Sequence, residues 1–139
     1  MSSDHLAQLG VWDVLFPHDA LIYPPKFKMW VCVSRAKLWF LRINSEPLNA
    51  PVVRLRADLH PFLDRDSWLS CGGDLAIILD VELEKAVERQ AFPERRGIVG
   101  TIHPEVREEV IAGVLASRRL TPFQKKVISR ELRGRKKRD

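Results

Sequence analysis

Three tryptophans, Trp30, Trp39 and Trp68, fall within a few positions of Lys28, Lys37, Arg42 and Arg65. Aromatic faces stack nucleobases and neighbouring cations hold a phosphate backbone, so this mixture of side chains suits single-strand nucleic-acid recognition. The same tryptophans have a structural reading as core filler, because this residue is largely buried in most proteins. A second group occupies the segment HPFLDRDS, where His60, Asp64, Asp66 and Ser67 bring imidazole, carboxylate and hydroxyl close together in the chain. Such groups move protons when they converge in space, and as loop neighbours they equally form hydrogen-bonded turns. No GxSxG elbow is present, which argues against a serine-nucleophile hydrolase. Gly97 and Gly100 in RRGIVGT lack the lysine and the strand-to-helix frame of a phosphate loop and are assigned to turns. His5, His18, His60 and His103 are scattered, and neither Cys32 nor Cys71 belongs to a CxxC pair, so neither a structural metal nor a cofactor is expected.

The chain that positions these residues has 139 residues, 45% of them apolar and 29% charged. That length and balance fit one globular domain and exclude global disorder. Residues 1–133 are expected to form it, with 134–139 as a basic tail. No run approaches the roughly 18–20 apolar residues of a membrane helix, and the opening MSSDHLAQLG lacks a basic stretch followed by an apolar one. A soluble, cytoplasmic protein with no membrane partner and two reduced, buried thiols is expected. The net charge of +5 is unevenly spread, with residues 1–25 at −3, 26–56 at +6, 57–124 at −4 and 125–139 at +6. Cations of the first basic zone alternate with strand formers and so can be displayed on one sheet face. The second zone ends in GRKKRD, which reads as a solvated terminus or as a phosphate-attracting arm.

KFKMWVCVS, RAKLWFLRINS and PVVRLRADL carry strand signals. In the first, Phe27, Met29, Val31 and Val33 alternate with Lys26, Lys28, Trp30 and Cys32, and Ser34, Arg35 and Ala36 predict a tight hairpin to the second. HPFLDRDSWLSCGGD reads as an ordered loop leading into a short strand, LAIILDV as a further strand and ELEKAVERQ as a helix. Val106, Val110, Ile111, Val114 and Leu115 line one face of an amphipathic helix that starts near Pro104. Phe123, Val127, Ile128 and Leu132 line another, which starts at Thr121 and Pro122. Strands first and helices last predict an α+β domain in which a small, strongly curved antiparallel sheet is followed by C-terminal helices.

KFKMWVCVS, FLRINS, HPFLDRDSWLSC and RGIVGTIHPEVREEVIAGVLASRRL together resemble the MazF/PemK toxin family over about residues 10–133. The resemblance implies an SH3-like barrel, a homodimer, metal-independent cleavage of single-stranded RNA and an antitoxin protein as partner. Ser45 matches the residue that ends the family's next strand, Ser67, Trp68 and Leu69 match a later strand entry, and Val11, Trp12, Asp13 and Val14 loosely match the opening. Lys28 and Met29 stand where the family has an arginine-proline pair. Lysine brings a point charge where arginine forks onto two oxygens, so the arginine's role would be weakened or moved to Arg35, Arg42 or Arg54. In this reading Lys28 and Arg42 contact phosphate, Ser45 donates a hydrogen bond, Asp66 or His60 aids proton transfer, and Trp39 or Trp68 stacks a base. Arg35, Lys37 and Arg54 are the remaining nucleic-acid contacts. A protein-binding adaptor without catalysis is the alternative. A DNA-binding accessory protein would need the last helix, with Lys125, Lys126, Arg130 and Arg133, to enter a groove.

Overall fold

Alternation in the two longest strands fixes the architecture. The computed structural model describes residues 6–134. Strands β1 (Asp13–Leu15), β4 (Met29–Ser34), β5 (Trp39–Asn44), β6 (Val52–Leu55), β7 (Ser67–Ser70) and β9 (Gly100–Thr101) form a strongly curled antiparallel sheet in the order β6-β7-β5-β4-β1-β9. A further strand, β8 (Ala76–Ile77), pairs with the start of β5, while β2 (His18–Asp19) and β3 (Lys26–Phe27) make a separate two-stranded ribbon. Helix α1 (Asp80–Glu88) follows β8, and α2 (Arg107–Ala116) and α3 (Pro122–Leu132) close the chain. The expected α+β class is present, and strands precede helices except that β9 follows α1 and returns to pair with β1.

Each sheet face carries its own apolar cluster, because successive side chains of a strand point to opposite sides. Val31, Val33, Trp39, Leu41, Ile43, Val53, Leu55 and Leu69 meet α2 and α3 on one face through Val110, Ile111, Val114, Ile128 and Leu132. Trp30, Cys32 and Phe40 meet α1 on the other through Leu83 and Val87, with Leu15 and Ala76 beside them. Cys32 and Cys71 therefore belong to opposite clusters, and both are free thiols. Burial pushes the pKa of each up to about 12, which leaves them unreactive.

Helix α3 is held at both ends. Its start has a reciprocal capping box between Thr121 and Gln124. Near its end Glu131 accepts from the Ser34 hydroxyl at 2.6 Å and from the Arg35 amide at 2.8 Å, while the Trp12 indole donates to the Leu132 carbonyl.

Local departures from the predicted elements have packing causes. The β4–β5 turn occupies residues 35–38 rather than a tight loop at 34–36, with a register shift between Cys32 and Ser34 and Leu38 at φ +58°. Only Ala76 and Ile77 of LAIILDV are strand, since α1 begins at Asp80. Gly100, predicted in a turn, pairs with Val14 in β9, where a Cβ would lie 2.1 Å from the Phe62 ring. In the predicted helix stripes, Leu115 and Phe123 are exposed, because Val110, Ile111 and Val114 in one helix and Ile128 and Leu132 in the other already fill the contact.

Glu131→Ala is expected to lower stability by about 1–3 kcal/mol, because Ser34 is fully buried and loses its acceptor. Denaturant unfolding of Glu131→Ala beside wild type measures it, and an unchanged midpoint would show that the latch contributes nothing.

Candidate nucleic-acid interface

Helix α1 covers only part of the second sheet face. Beyond it lie the outward residues at the start of β4, at the end of β5 and on β7 and β6. Trp68 is the register partner of both Asn44 and Arg54, so these three side chains form one row across β5, β7 and β6 on that face. Lys28, just before β4, sits on the same face two positions from Trp30 and is tied down by its amide donating to the Pro17 carbonyl. A hollow of about 310 Å³ opens here, lined by Lys26, Lys28, Arg42, Asn44 and Ser70 from the sheet side and by Tyr23 from the loop that precedes β3.

Its floor is organised by Asp19. This carboxylate has no solvent exposure and accepts from the Arg42 Nε at 2.7 Å, from the Trp30 Nε1 at 2.9 Å and from the Leu21 amide at 3.0 Å. Arg42 also donates to the Asp74 carbonyl, so its guanidinium is a fixed and largely neutralised part of the wall. Lys28 is different. Its ammonium forms no ion pair or hydrogen bond among the described residues, and burial, with Lys26 next and Arg42 after, holds its pKa below the usual lysine range against the opposing pull of Asp19. Asn44 is only 9% exposed, and its side-chain amide makes no hydrogen bond among the described residues. A half-buried cation and a buried amide thus open into the same hollow without partners, beside the second cation of Lys26. The Ser70 hydroxyl is turned away onto the Leu48 and Asn49 carbonyls. Tyr23 is 96% exposed and offers a free aromatic face at the rim.

The remaining sequence candidates are scattered. Trp68 and Arg54 share the face just described, but Arg54 is paired with Asp66. Asp66 also accepts from the Ala57 amide at 2.8 Å, and this bond, followed by Arg54, holds its carboxyl below the ordinary range, which makes it a weak proton acceptor. His60 is fully buried, with Nδ1 at 2.8 Å from the Arg56 carbonyl and Nε2 accepting from the His103 amide, so both ring nitrogens are consumed in joining two loops. The expected proton-transfer role of His60 and Asp66 at the Lys28 site therefore has no geometric basis. Ser45 is exposed one residue past β5 and is not part of the hollow's lining. Trp39 belongs to the core face with Leu41 and Ile43 and is unavailable for stacking in the hollow. Arg35 and Lys37 lie at the far end of β4 and β5, in the turn against α3. Residues 135–139 of the expected basic tail lie outside the described residues.

No protein family, curated protein or solved structure matches this chain. Among the described residues, no group of three His, Cys, Asp or Glu side chains gathers where a metal ion could sit, and no helix is long and apolar enough to cross a membrane. A larger groove of about 670 Å³ lies between β8 and α1, but its walls are largely apolar, formed by Leu21, Ile77, Leu79 and Ala86, and much of its polar rim is self-paired through Arg89 with His18 and Lys85 with Glu82, with Glu88 beside them. What the smaller hollow can do is bind an anion: Lys26 and Lys28 attract it while the one acid of the lining, Asp74, is paired with Arg119, Asn44 can orient it and the Tyr23 ring can hold an attached planar group. The hollow brings together Lys28 and Arg42, the two expected phosphate contacts, whereas sequence reasoning passes over Asp19, Tyr23, Lys26 and Asn44. Lys26 alone left a signal, as it shares the alternation of Lys28.

Asp19→Ala would leave a buried guanidinium and a buried indole N–H without their acceptor. Its expected cost is about 3–5 kcal/mol, and Asp19→Ala with Arg42→Met should recover a large part of it, because the orphaned charge is then gone. Urea unfolding of both variants tests this; equal losses would mean that the pair is not the source of the cost.

Proposed function

We propose that this protein binds single-stranded RNA across the uncovered strip of its sheet. A phosphate sits between Lys26, Lys28 and Asn44, and bases stack on Tyr23 and, along the strip, on Trp68. One observation carries the reading: the half-buried Lys28 ammonium and the buried Asn44 amide face one hollow and neither has a partner there. Desolvating a cation and an amide costs free energy that an unfilled pocket does not return, whereas a phosphate satisfies both. Exposed Tyr23 beside these cations favours a strand with unstacked bases over an isolated anion. The choice of RNA over DNA rests on the likeness to MazF/PemK toxins.

Strand cleavage is the catalytic form of the same reading and is supported by Lys28. The 2′-hydroxyl would attack phosphorus and lose its proton to water, while the 5′-oxygen leaves with a proton from the Lys28 ammonium, which a lowered pKa makes easier to give up. The chain's contribution would be charge at the phosphoryl oxygens from Lys26 and Lys28, with Arg42 fixed by Asp19 as part of the wall. Protein binding, the adaptor reading, is favoured by the groove whose lining includes exposed Leu21, Ile77 and Leu79.

Lys28→Ala and Tyr23→Ala are each expected to weaken binding of a 2′-O-methyl oligonucleotide by about tenfold, with unfolding midpoints unchanged. Fluorescence anisotropy reads the affinity, and full retention in both variants would remove the proposal. RNA incubated in EDTA with the wild type is expected to acquire 2′,3′-cyclic phosphate ends, and Lys28→Ala to abolish them; intact RNA with intact binding would leave a binding protein.

The lowered pKa of Lys28 sets a pH dependence. A bound phosphate favours the charged ammonium, so its contribution is complete below the free-protein pKa and fades as pH rises through it. That decline therefore begins at lower pH than for an ordinary lysine. Lys28→Arg should abolish the early decline when affinity for the 2′-O-methyl strand is followed with pH.

A further inference from the structure

A second cationic surface lies on the opposite face and at the other end of the long strands. Helix α3 turns Ile128 and Leu132 into the core, which leaves Phe123, Lys126 and Arg130 on an outward stripe at spacings of three and four residues. The β4–β5 turn lies against this stripe. Lys37 Nζ stands 5.8 Å from the centre of the Phe123 ring, and the Trp39 ring meets the same phenyl edge-on at 6.4 Å. Phe123 is 59% exposed although it is a large apolar side chain, and a shallow hollow of about 300 Å³ beside it is lined by Phe123, Lys126, Val127, Arg130 and Glu131. The one acid of that lining is already engaged, because Glu131 accepts from Ser34 and from the Arg35 amide. Lys126, Arg130 and Lys37 form no ion pair among the described residues, and the Lys37 ammonium faces the Phe123 ring.

We infer that the Phe123–Lys126–Arg130 stripe, with Lys37, is a second contact for a single nucleic-acid strand, separate from the Lys28 hollow. Charge complementarity identifies the occupant as a polyanion, since every free charge on the stripe is positive. The exposed ring flanked by a cation selects a strand with unstacked bases, for which an aromatic platform between phosphate contacts is the recurring solution. An acidic polypeptide would use the cations and leave the phenyl ring unexplained. The inference extends the single-strand reading of the hollow to another place on the molecule, and each can fail without the other. Six residues of β4 at about 3.3 Å each put the two contacts roughly 20 Å apart along the strand, so one oligonucleotide can engage both only if it is long enough to span them.

The test is anisotropy titration of the full chain with a 2′-O-methyl oligouridine of about 16 nucleotides at several salt concentrations. Lys126→Ala with Arg130→Ala should reduce the magnitude of the log–log salt slope by about 1.4, about 0.7 for each lost phosphate contact. Phe123→Ala should weaken binding about fivefold or more with the slope unchanged, as loss of stacking without loss of charge requires. All three side chains are exposed, so unchanged thermal midpoints are expected and separate binding effects from unfolding. Affinity and slope that stay at wild-type values in both variants overturn the inference, whatever Lys28→Ala does. Losses here with none in Lys28→Ala uphold it and sink the hollow. A weakened double variant beside a fully active Phe123→Ala, with poly-glutamate displacing the strand at equal charge, would identify the stripe as a site for acidic polypeptides and overturn it.

Discussion

Asp19 is the group on which the exposed half of this sheet depends. A carboxylate with no solvent contact survives only if its charge and lone pairs are satisfied, and here Arg42, Trp30 and the Leu21 amide do so together. Those donors come from β4, from β5 and from the loop after β2, so one side chain ties the small ribbon to the main sheet. That tie places Lys26 and Lys28 beside Arg42 and holds three cations in one neighbourhood. The arrangement resists rearrangement because any movement that frees Arg42 also strands Asp19. Burial, followed by repulsion from Lys26 and then Arg42, lowers the pKa of Lys28 against the attraction of Asp19.

The second determinant is unequal cover. The face that receives α2 and α3 is packed along its length from Trp12 to Leu132, whereas the opposite face is packed only where Leu83 and Val87 of α1 reach Trp30 and Phe40. Helix α1 has nine residues, about 13 Å, and so cannot also extend across the β7 and β6 end of the sheet. The strip beyond the reach of α1 carries buried Asn44 and Ser70, half-buried Trp68 and exposed Arg54 where the covered part carries Trp30, Cys32 and Phe40. Polar composition and lack of cover are two aspects of one pattern: the parity of the strands stays constant while the residue types on the outward positions change.

This also sets what could be read from the sequence. Period-two alternation in 26–33 was enough to separate Lys28 from Val31, and the same rule groups Trp39 with Leu41 and Ile43, as the structure has them. Helices α2 and α3 were legible from their stripes and from the Thr121 cap, but a stripe does not say where the docking partner ends, and Phe123 lies past that limit. Asp19 and Tyr23 occupy a stretch with two-residue strands, too short to show any period, and their positions follow from contacts with residues on other strands. His60 shows the converse error. Its neighbours in the chain suggested acid–base chemistry, while its state is decided by a bond to the His103 amide 43 positions away.

Charge pairing engages only some of the chain's cations, and most of those it engages are arginines. Arg42 is paired with Asp19, Arg54 with Asp66, Arg56 with Asp58 and Arg119 with Asp74, so these arginines serve the fold or its surface first. The fork of a guanidinium suits such fixed partners, whereas a lysine ammonium is a compact charge on a flexible stem. Lys26 and Lys28 at one end of the long strands and Lys126 and Arg130 at the other carry no acid among the described residues. The sequence places both groups in its two basic zones, and the fold sends them to opposite faces. A basic total charge alone would predict diffuse attraction to any polyanion. Under the proposed reading, two separated clusters, each beside an exposed aromatic ring, would set a minimum length on a strand that engages both, a requirement that diffuse attraction lacks.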